Sequence, residues 1–156
     1  MGRAYLHLQR QREDCARKQA SALISSHDLL ALEDLPVRHL VRNRHLAKAI
    51  SDVGWSRLRR WVEYYGRLHE VLVVAVAPEY TSQDCRGCGR RVRKSLSVRT
   101  HVCPRCGLIL DRDHNAALMI LQRGLAVARA DGRWPPELRE LGELRELRGT
   151  VGHTGT

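Results

Sequence analysis

Four cysteines in two tight pairs constrain this chain more than any other feature. Cys85-Arg-Gly-Cys88 and Cys103-Pro-Arg-Cys106 stand fourteen residues apart, between a β-like run and a helix-like run. Each Cys-x-x-Cys pair makes a tight turn whose two sulfurs point inward, and two such pairs wrap four thiolates around one tetrahedral zinc ion. Gly89 and Gly107 each follow the second cysteine of a pair, where a knuckle turn needs a residue that accepts φ > 0. The competing readings are two disulfides or four unrelated core thiols. A zinc site made of four cysteines has no open coordination position, so a single structural Zn2+ is expected, and any chemistry must lie elsewhere.

A chain of 156 residues has room for one compact domain, or for a small core plus a metal module, but not for two full domains. It contains no phenylalanine, so the core must be built from Leu, Val, Ile and Ala, and a modest core makes the zinc staple more consequential. The net charge of +10 comes from 27 basic against 17 acidic residues, and nearly all the basic ones are arginine. Arginine is the side chain best suited to bidentate phosphate contacts, so an anionic partner is expected, nucleic acid first. A solvated arginine surface that merely reflects base composition is the alternative. Met1-Gly-Arg-Ala-Tyr5 lacks the apolar core of a secretion signal, and no window approaches the length of a membrane span. A cytoplasmic protein with reduced, metal-binding thiols and no membrane partner is expected. The fifth cysteine, Cys15, lies in a helical pattern far from the others and reads as core filler rather than as a ligand.

Along the chain, residues 6–25 suit one amphipathic helix with Cys15, Ala16, Ala20, Leu23 and Ile24 on its apolar side. Leu29-Leu-Ala-Leu32 is a strand or a helix turn by periodicity alone. The following Glu33-Asp34-Leu35-Pro36 favours a strand that delivers carboxylates at its C-terminal end, where α/β proteins place their chemistry. From Val37 to Arg60 the chain is strongly basic, with Asp52 the one opposing acid. Trp55, Leu58, Trp61, Val62 and Tyr65 then recur at helical spacing, which predicts a helix over about 51–70 capped by Ser51 or Asp52, with the tryptophans in the core rather than serving as base-stacking platforms. Val71–Ala77 reads as a buried strand ended by Pro78. Beyond the cysteines, an apolar helix runs to about Arg129 with Gly124 interrupting it, and Asp113 is placed to cap its start. Residues 137–148 carry leucines among charges and suit a marginal helix, with a disordered end after them.

Seven basic residues and no acid lie within the cysteine module: Arg86, Arg90, Arg91, Arg93, Lys94, Arg99 and Arg105. A zinc ion bound by four thiolates retains negative charge, and part of the basic set serves to neutralise it. The surplus predicts a phosphate-facing finger, with Arg86, Arg90, Arg91, Arg93, Lys94 and Arg99 as the nucleic-acid contacts.

Tyr80-Thr-Ser-Gln-Asp-Cys-Arg-Gly-Cys-Gly89, Cys103-Pro-Arg-Cys-Gly107 and Asp111-Arg-Asp-His-Asn-Ala-Ala117, in this order and so close together, resemble the C-terminal end of the transposon-encoded OrfB/TnpB-type proteins, relatives of the type V CRISPR effector nucleases. Leu32-Glu-Asp-Leu35 and His45-Leu-Ala-Lys-Ala-Ile-Ser-Asp52, followed by Trp55, look like the central block of the same family. The resemblance covers roughly residues 10 to 125. It implies an α/β fold: an incomplete RNase-H-like (RuvC-type) core interrupted by a four-cysteine zinc ribbon. In these terms residues 1–80 are a partial nuclease core built as helix, strand, helix and strand. Residues 81–110 are the zinc ribbon, 111–130 the final helix of the core, and 131–156 a flexible tail.

Members of that family are RNA-guided DNA endonucleases in which three carboxylates hold two Mg2+ ions that activate water and stabilise the leaving oxygen. The resemblance assigns two catalytic acids here, Glu33 to the second acidic motif and Asp113 to the third, while Asp34 and Asp111 read as caps or solvated charges. The family's first aspartate sits on an N-terminal strand, and no strand–aspartate pattern occurs in residues 1–28. Guide-RNA and target-recognition domains have no counterpart either, so the chain looks like a C-terminal portion. The expectation is a transposase-type, zinc-containing DNA-binding protein, with guide RNA as a second partner, that does not cleave alone. The alternatives are an endonuclease completed in trans by an N-terminal partner chain, and a stand-alone zinc-ribbon nucleic-acid-binding module.

Overall fold

The computed structural model describes residues 2–37, 42, 54–95 and 97–133. The expectations for residues 38–41 and 43–53 of the basic stretch, which include the His45–Asp52 motif and the caps Ser51 and Asp52, and for the helix and tail over 137–156 lie outside the described residues.

Helix α1 (Gly2–Ser25) buries Ala16, Ala20 and Ile24, residues four apart that lie one above another on the same face. It begins at Gly2 rather than near Leu6. Cys15 is exposed, which corrects its assignment to the core: a neighbour of a one-residue-wide stripe is rotated about 100° off it at 3.6 residues per turn.

Strand β1 (Leu29–Glu33) follows, so Leu29–Leu32 is strand, not a helix turn. Helix α2 (Trp55–Leu68) leads into strand β2 (Leu72–Val76). The two strands pair in parallel, Leu29 opposite Leu72 and Glu33 opposite Val76. Side chains alternate across a strand, and here both faces are covered. Leu29, Leu72, Val74 and Val76 pack with Ile120, Leu125 and Ala128 of helix α3 (Arg112–Ala130). Leu30, Leu32, Val71 and Val73 pack with Ala20, Ile24, Val62, Leu58, Trp61 and Tyr65 of α1 and α2. The result is a helix–sheet–helix sandwich, the layering that buries a parallel sheet. Ala75 is exposed within β2, so that strand is less fully buried than its apolar run suggests.

Two helical glycines set the layer spacing. A Cβ on Gly66 would lie 2.5 Å from Val73 Cγ2, and one on Gly124 would lie 2.6 Å from Ala31 Cβ. Gly124 therefore does not interrupt α3; it lets the helix seat directly on β1.

Of the two tryptophans in α2, Trp61 is half-buried, stacked on Tyr65 with ring centroids 5.7 Å apart, and its indole N–H donates to Glu13. Trp55 is 49% exposed, a correction to the expected core placement, because it opens the first turn of α2 outside the packed stripe. The second lobe contains strands β3 (Thr100–Val102) and β4 (Ile109–Asp111), paired antiparallel, and an isolated bridge between Asp84 and Arg91. No helix among the described residues is long and apolar enough to cross a membrane.

Candidate metal centre and acidic site

The two cysteine pairs fold into matching knuckles. In the first, Gly89 N–H donates to Cys85 O (2.8 Å) and Cys85 N–H to Arg90 O (3.0 Å); in the second, Gly107 N–H donates to Cys103 O (3.0 Å) and Cys103 N–H to Leu108 O (2.9 Å). Gly89 and Gly107 have φ of 70° and 74°, the left-handed conformation the sequence reserves for glycine. The Sγ atoms of Cys85, Cys88, Cys103 and Cys106 all lie within 4.8 Å of one another, with Cys85–Cys106 at 3.6 Å and Cys88–Cys103 at 3.5 Å. A tetrahedron of sulfurs at the usual Zn–S bond length has edges of about 3.8 Å. The four thiols therefore fit one metal ion such as zinc, and all four are free of disulfides.

Burial pushes the Cys85 thiol up to about 12, whereas the backbone N–H groups of Cys106 and Arg105 pull Cys103 down to about 6.

His101 is fully buried on β3. Burial, and then the nearby Lys94 charge, hold its pKa below the usual imidazole value. Lys94 Nζ lies 2.6 Å from His101 Nδ1. An ammonium only donates, so Nδ1 accepts and the ring proton sits on Nε2, which is buried without a hydrogen-bond partner among the described residues.

Of the six expected nucleic-acid contacts, Arg90, Arg93 and Arg99 are exposed and Arg86 is half-buried. Arg91 is exposed, yet its guanidinium covers the Tyr80 ring at 3.3 Å from the centroid and its Nε donates to Asp84 (3.1 Å). Lys94 turns into the ribbon towards His101 instead of outwards.

Glu33 ends β1 and shares the α3 face with Leu29 and Ala31 by strand alternation. Its Oε1 accepts a hydrogen bond from Thr81 Oγ (2.5 Å), and among the described residues it has no cationic partner. Asp34 instead points the other way and pairs with Arg59. Asp113 sits in the first turn of α3 and is 67% exposed. It pairs with Arg112 (3.1 Å) and Arg99 (3.5 Å). It is not the helix cap, which corrects that expectation. Asp111 is: its side chain accepts from the N–H groups of Asp113 (2.8 Å) and His114 (3.1 Å). Those two bonds hold the Asp111 carboxyl below its ordinary value, as expected for a carboxylate at a helix N-terminus.

Glu33 and Asp113 share no hydrogen-bonding partner among the described residues, but they are joined through one short segment. Thr81 holds Glu33. Three residues on, Asp84 O accepts from Asn115 Nδ2 (2.8 Å), and Asn115 Oδ1 accepts from Arg86 N–H (3.0 Å). Asn115 is fully buried and lies two residues beyond Asp113. Thr81, Asp84 and Asn115 were not singled out by sequence reasoning; all three occur inside the quoted motifs, but nothing in their local pattern signals a partner dozens of residues away.

Four cysteines gathered as they would be around one metal ion, inserted between the last strand and last helix of an α/β sandwich, define the class, a ribbon-bearing α/β protein. Residues 55–120 match the Cas12f1-like TNB domain family. A candidate RNA-guided DNA endonuclease of Streptomyces pristinaespiralis is 39% identical over 133 residues, 82% of this chain and 32% of that protein. InsQ of Escherichia coli (strain K12), also named as a candidate RNA-guided DNA endonuclease, is 32% identical over 132 residues, 74% of this chain and 33% of that one. Cas12f1, solved by cryo-electron microscopy in complex with single-guide RNA and target DNA, shares the fold with a TM-score of 0.54 at 19% identity over 72% of this chain and 34% of that chain. The chain belongs to the TnpB-type family. It spans about a third of the length of these two curated relatives.

Proposed function

We propose that this chain is a nucleic-acid-binding part of a RuvC-type, RNA-guided DNA endonuclease, stapled by one structural zinc ion, and that it does not cleave DNA by itself. The observation that carries the reading is Glu33. In a chain of net charge +10 it is a half-buried carboxylate with no cationic partner among the described residues, at a strand end and on the face covered by α3, whose first turn carries Asp113. A half-buried acid with no cationic partner among the described residues suits a hard cation, which prefers oxygen ligands. Mg2+ would supply the activation of water and the stabilisation of the leaving oxygen, with Glu33 and Asp113 as ligands and the Arg99 and Arg112 pairs of Asp113 giving way to it. Among the described residues neither Glu33 nor Asp113 belongs to a group of three acids, histidines or cysteines that could hold a metal ion, and two carboxylates are a poor set for a two-ion reaction.

Arg90, Arg93 and Arg99 supply outward charge for phosphates. Arg91 and Lys94, which also make contacts inside the ribbon, contribute to its field, and Arg86 lies at its base. A target DNA and a guide RNA are the partners this reading implies.

Completion in trans is the second reading, favoured by the sheet: among the described residues β1 and β2 pair only with each other, so each leaves an edge for an added strand. Such a strand, from another polypeptide or a longer form of this one, would supply the third acid.

Supercoiled plasmid incubated with the zinc-loaded chain and Mg2+ or Mn2+ tests the proposal. The expected result is no nicking. Nicking that is abolished by Glu33→Gln or Asp113→Asn would show that the chain cuts unaided.

A further inference from the structure

We propose that Thr81 is a positioning residue for Glu33, and that the turn from Tyr80 to Asp84 ties the placement of Glu33 and Asp113 to the first cysteine knuckle. This rests on the reading of those two acids as ligands of a divalent ion.

Thr81 is 5% exposed. Its hydroxyl lies 2.5 Å from Glu33 Oε1 and 3.2 Å from Pro78 O. A hydroxyl has one proton to give. The shorter, charge-assisted contact takes it, so one carboxylate oxygen of Glu33 is fixed and the other takes no hydrogen bond among the described residues. The turn that presents this hydroxyl is held tightly. Tyr80 has φ of 63°, a conformation disfavoured for a residue with a Cβ, and such a residue persists only where its surroundings over-determine it.

Those surroundings are visible. Gln83 N–H (2.9 Å) and Asp84 N–H (2.8 Å) both donate to Tyr80 O. Arg91 covers the Tyr80 ring and donates to the Asp84 carboxylate. Arg123 of α3 donates to Ala77 O (3.0 Å), Glu79 O (2.9 Å) and the other Asp84 oxygen (2.9 Å). Asn115 then fastens the same turn and Arg86, the residue after Cys85, to the first turns of α3. One rigid segment therefore orients Glu33 at one end and seats the start of the Asp113 helix at the other, as outer-shell groups orient metal ligands.

Nuclear magnetic resonance on the zinc-loaded full chain tests this. In wild type and in the conservative variant Thr81→Ser, the side-chain scalar couplings of Glu33 should report a single χ1 rotamer. In the near-isosteric Thr81→Val they should average over rotamers, with zinc still at one equivalent. Unchanged Glu33 couplings in Thr81→Val overturn the proposal, as does failure of Thr81→Ser to restore a single rotamer. If Thr81→Val loses its zinc, the wild-type hydroxyl proton decides. It should be protected from exchange in wild type and exchange rapidly in Glu33→Ala; rapid exchange in wild type overturns the proposal. A separate arm addresses the underlying reading: Mn2+ should broaden the signals around Glu33 and Asp113 in wild type and do so at least several-fold more weakly in Thr81→Val. Absence of this broadening in wild type defeats the divalent-ion reading, while the couplings still report on Thr81.

Discussion

Replacing Gly124 with alanine sets two opposing effects against each other. In a helix interior alanine is favoured over glycine by about 1 kcal/mol, so an exposed site would gain stability. Gly124 is buried, and the added Cβ would sit 2.6 Å from Ala31 Cβ, 3.6 Å from Ala31 Cα and 4.0 Å from Val74 Cβ. Carbon atoms pack at roughly 3.5–4.0 Å, so α3 and β1 must separate by about 1 Å. Ala31 has no rotamer through which to yield, because its Cβ is fixed to the strand backbone. Overpacking of this kind costs about 1–3 kcal/mol, which equals or exceeds the propensity gain. Gly124→Ala is therefore expected to lower stability by up to about 2 kcal/mol, measured by urea denaturation of the zinc-loaded chain. Ala31→Gly should relieve the clash, so the double variant should lose less than the sum of the single losses. A Gly124→Ala chain that is more stable than wild type by about the full propensity term would refute the close contact between α3 and β1.

Two further outcomes follow from the site. Metal analysis should find one equivalent of zinc per chain; Cys85→Ser or Cys103→Ser should lower zinc content and stability together, and a chelator should have the same effect on wild type. Asp111 should make the start of α3 sensitive to acid. Because its folded pKa is depressed, its contribution is fully present above the unfolded value of about 3.9 and is lost as pH falls through the lower folded value. The stability difference between wild type and Asp111→Ala should thus shrink at the acid end, and Asp111→Asn, which caps without titrating, should not show that dependence.

The cysteine knuckles, both parallel strands and the helix α3 were legible in the sequence because each depends on neighbours within a few residues. Cys-x-x-Cys-Gly closes its own turn, and the Val71–Ala77 run has a strong strand preference whatever it packs against. Glu33 could likewise be placed at a strand end from Leu29–Pro36 alone. Periodicity says which residues share a face but not what covers that face. Cys15 was therefore assigned to a core that α1 buries only through Ala16, Ala20 and Ile24, and Trp55 to a stripe that starts beyond it. Asp111 and Asp113 are both plausible caps by spacing; the backbone path from β4 into α3 selects Asp111.

The order of residues alone establishes the chemistry available: four thiols for one metal ion, two acids at element ends, and an excess of arginine. Which of those groups meet is a matter of packing between distant elements. Lys94 turns to a buried histidine, Asp113 meets Arg99, Glu33 receives the Thr81 hydroxyl, and Asn115 grips the first knuckle. These contacts span from 7 to 48 residues of chain. The longer of them exist because α3 lies against β1 closely enough to bring the ribbon to the strand ends, and that approach depends on a missing Cβ at Gly124 that no local pattern announces.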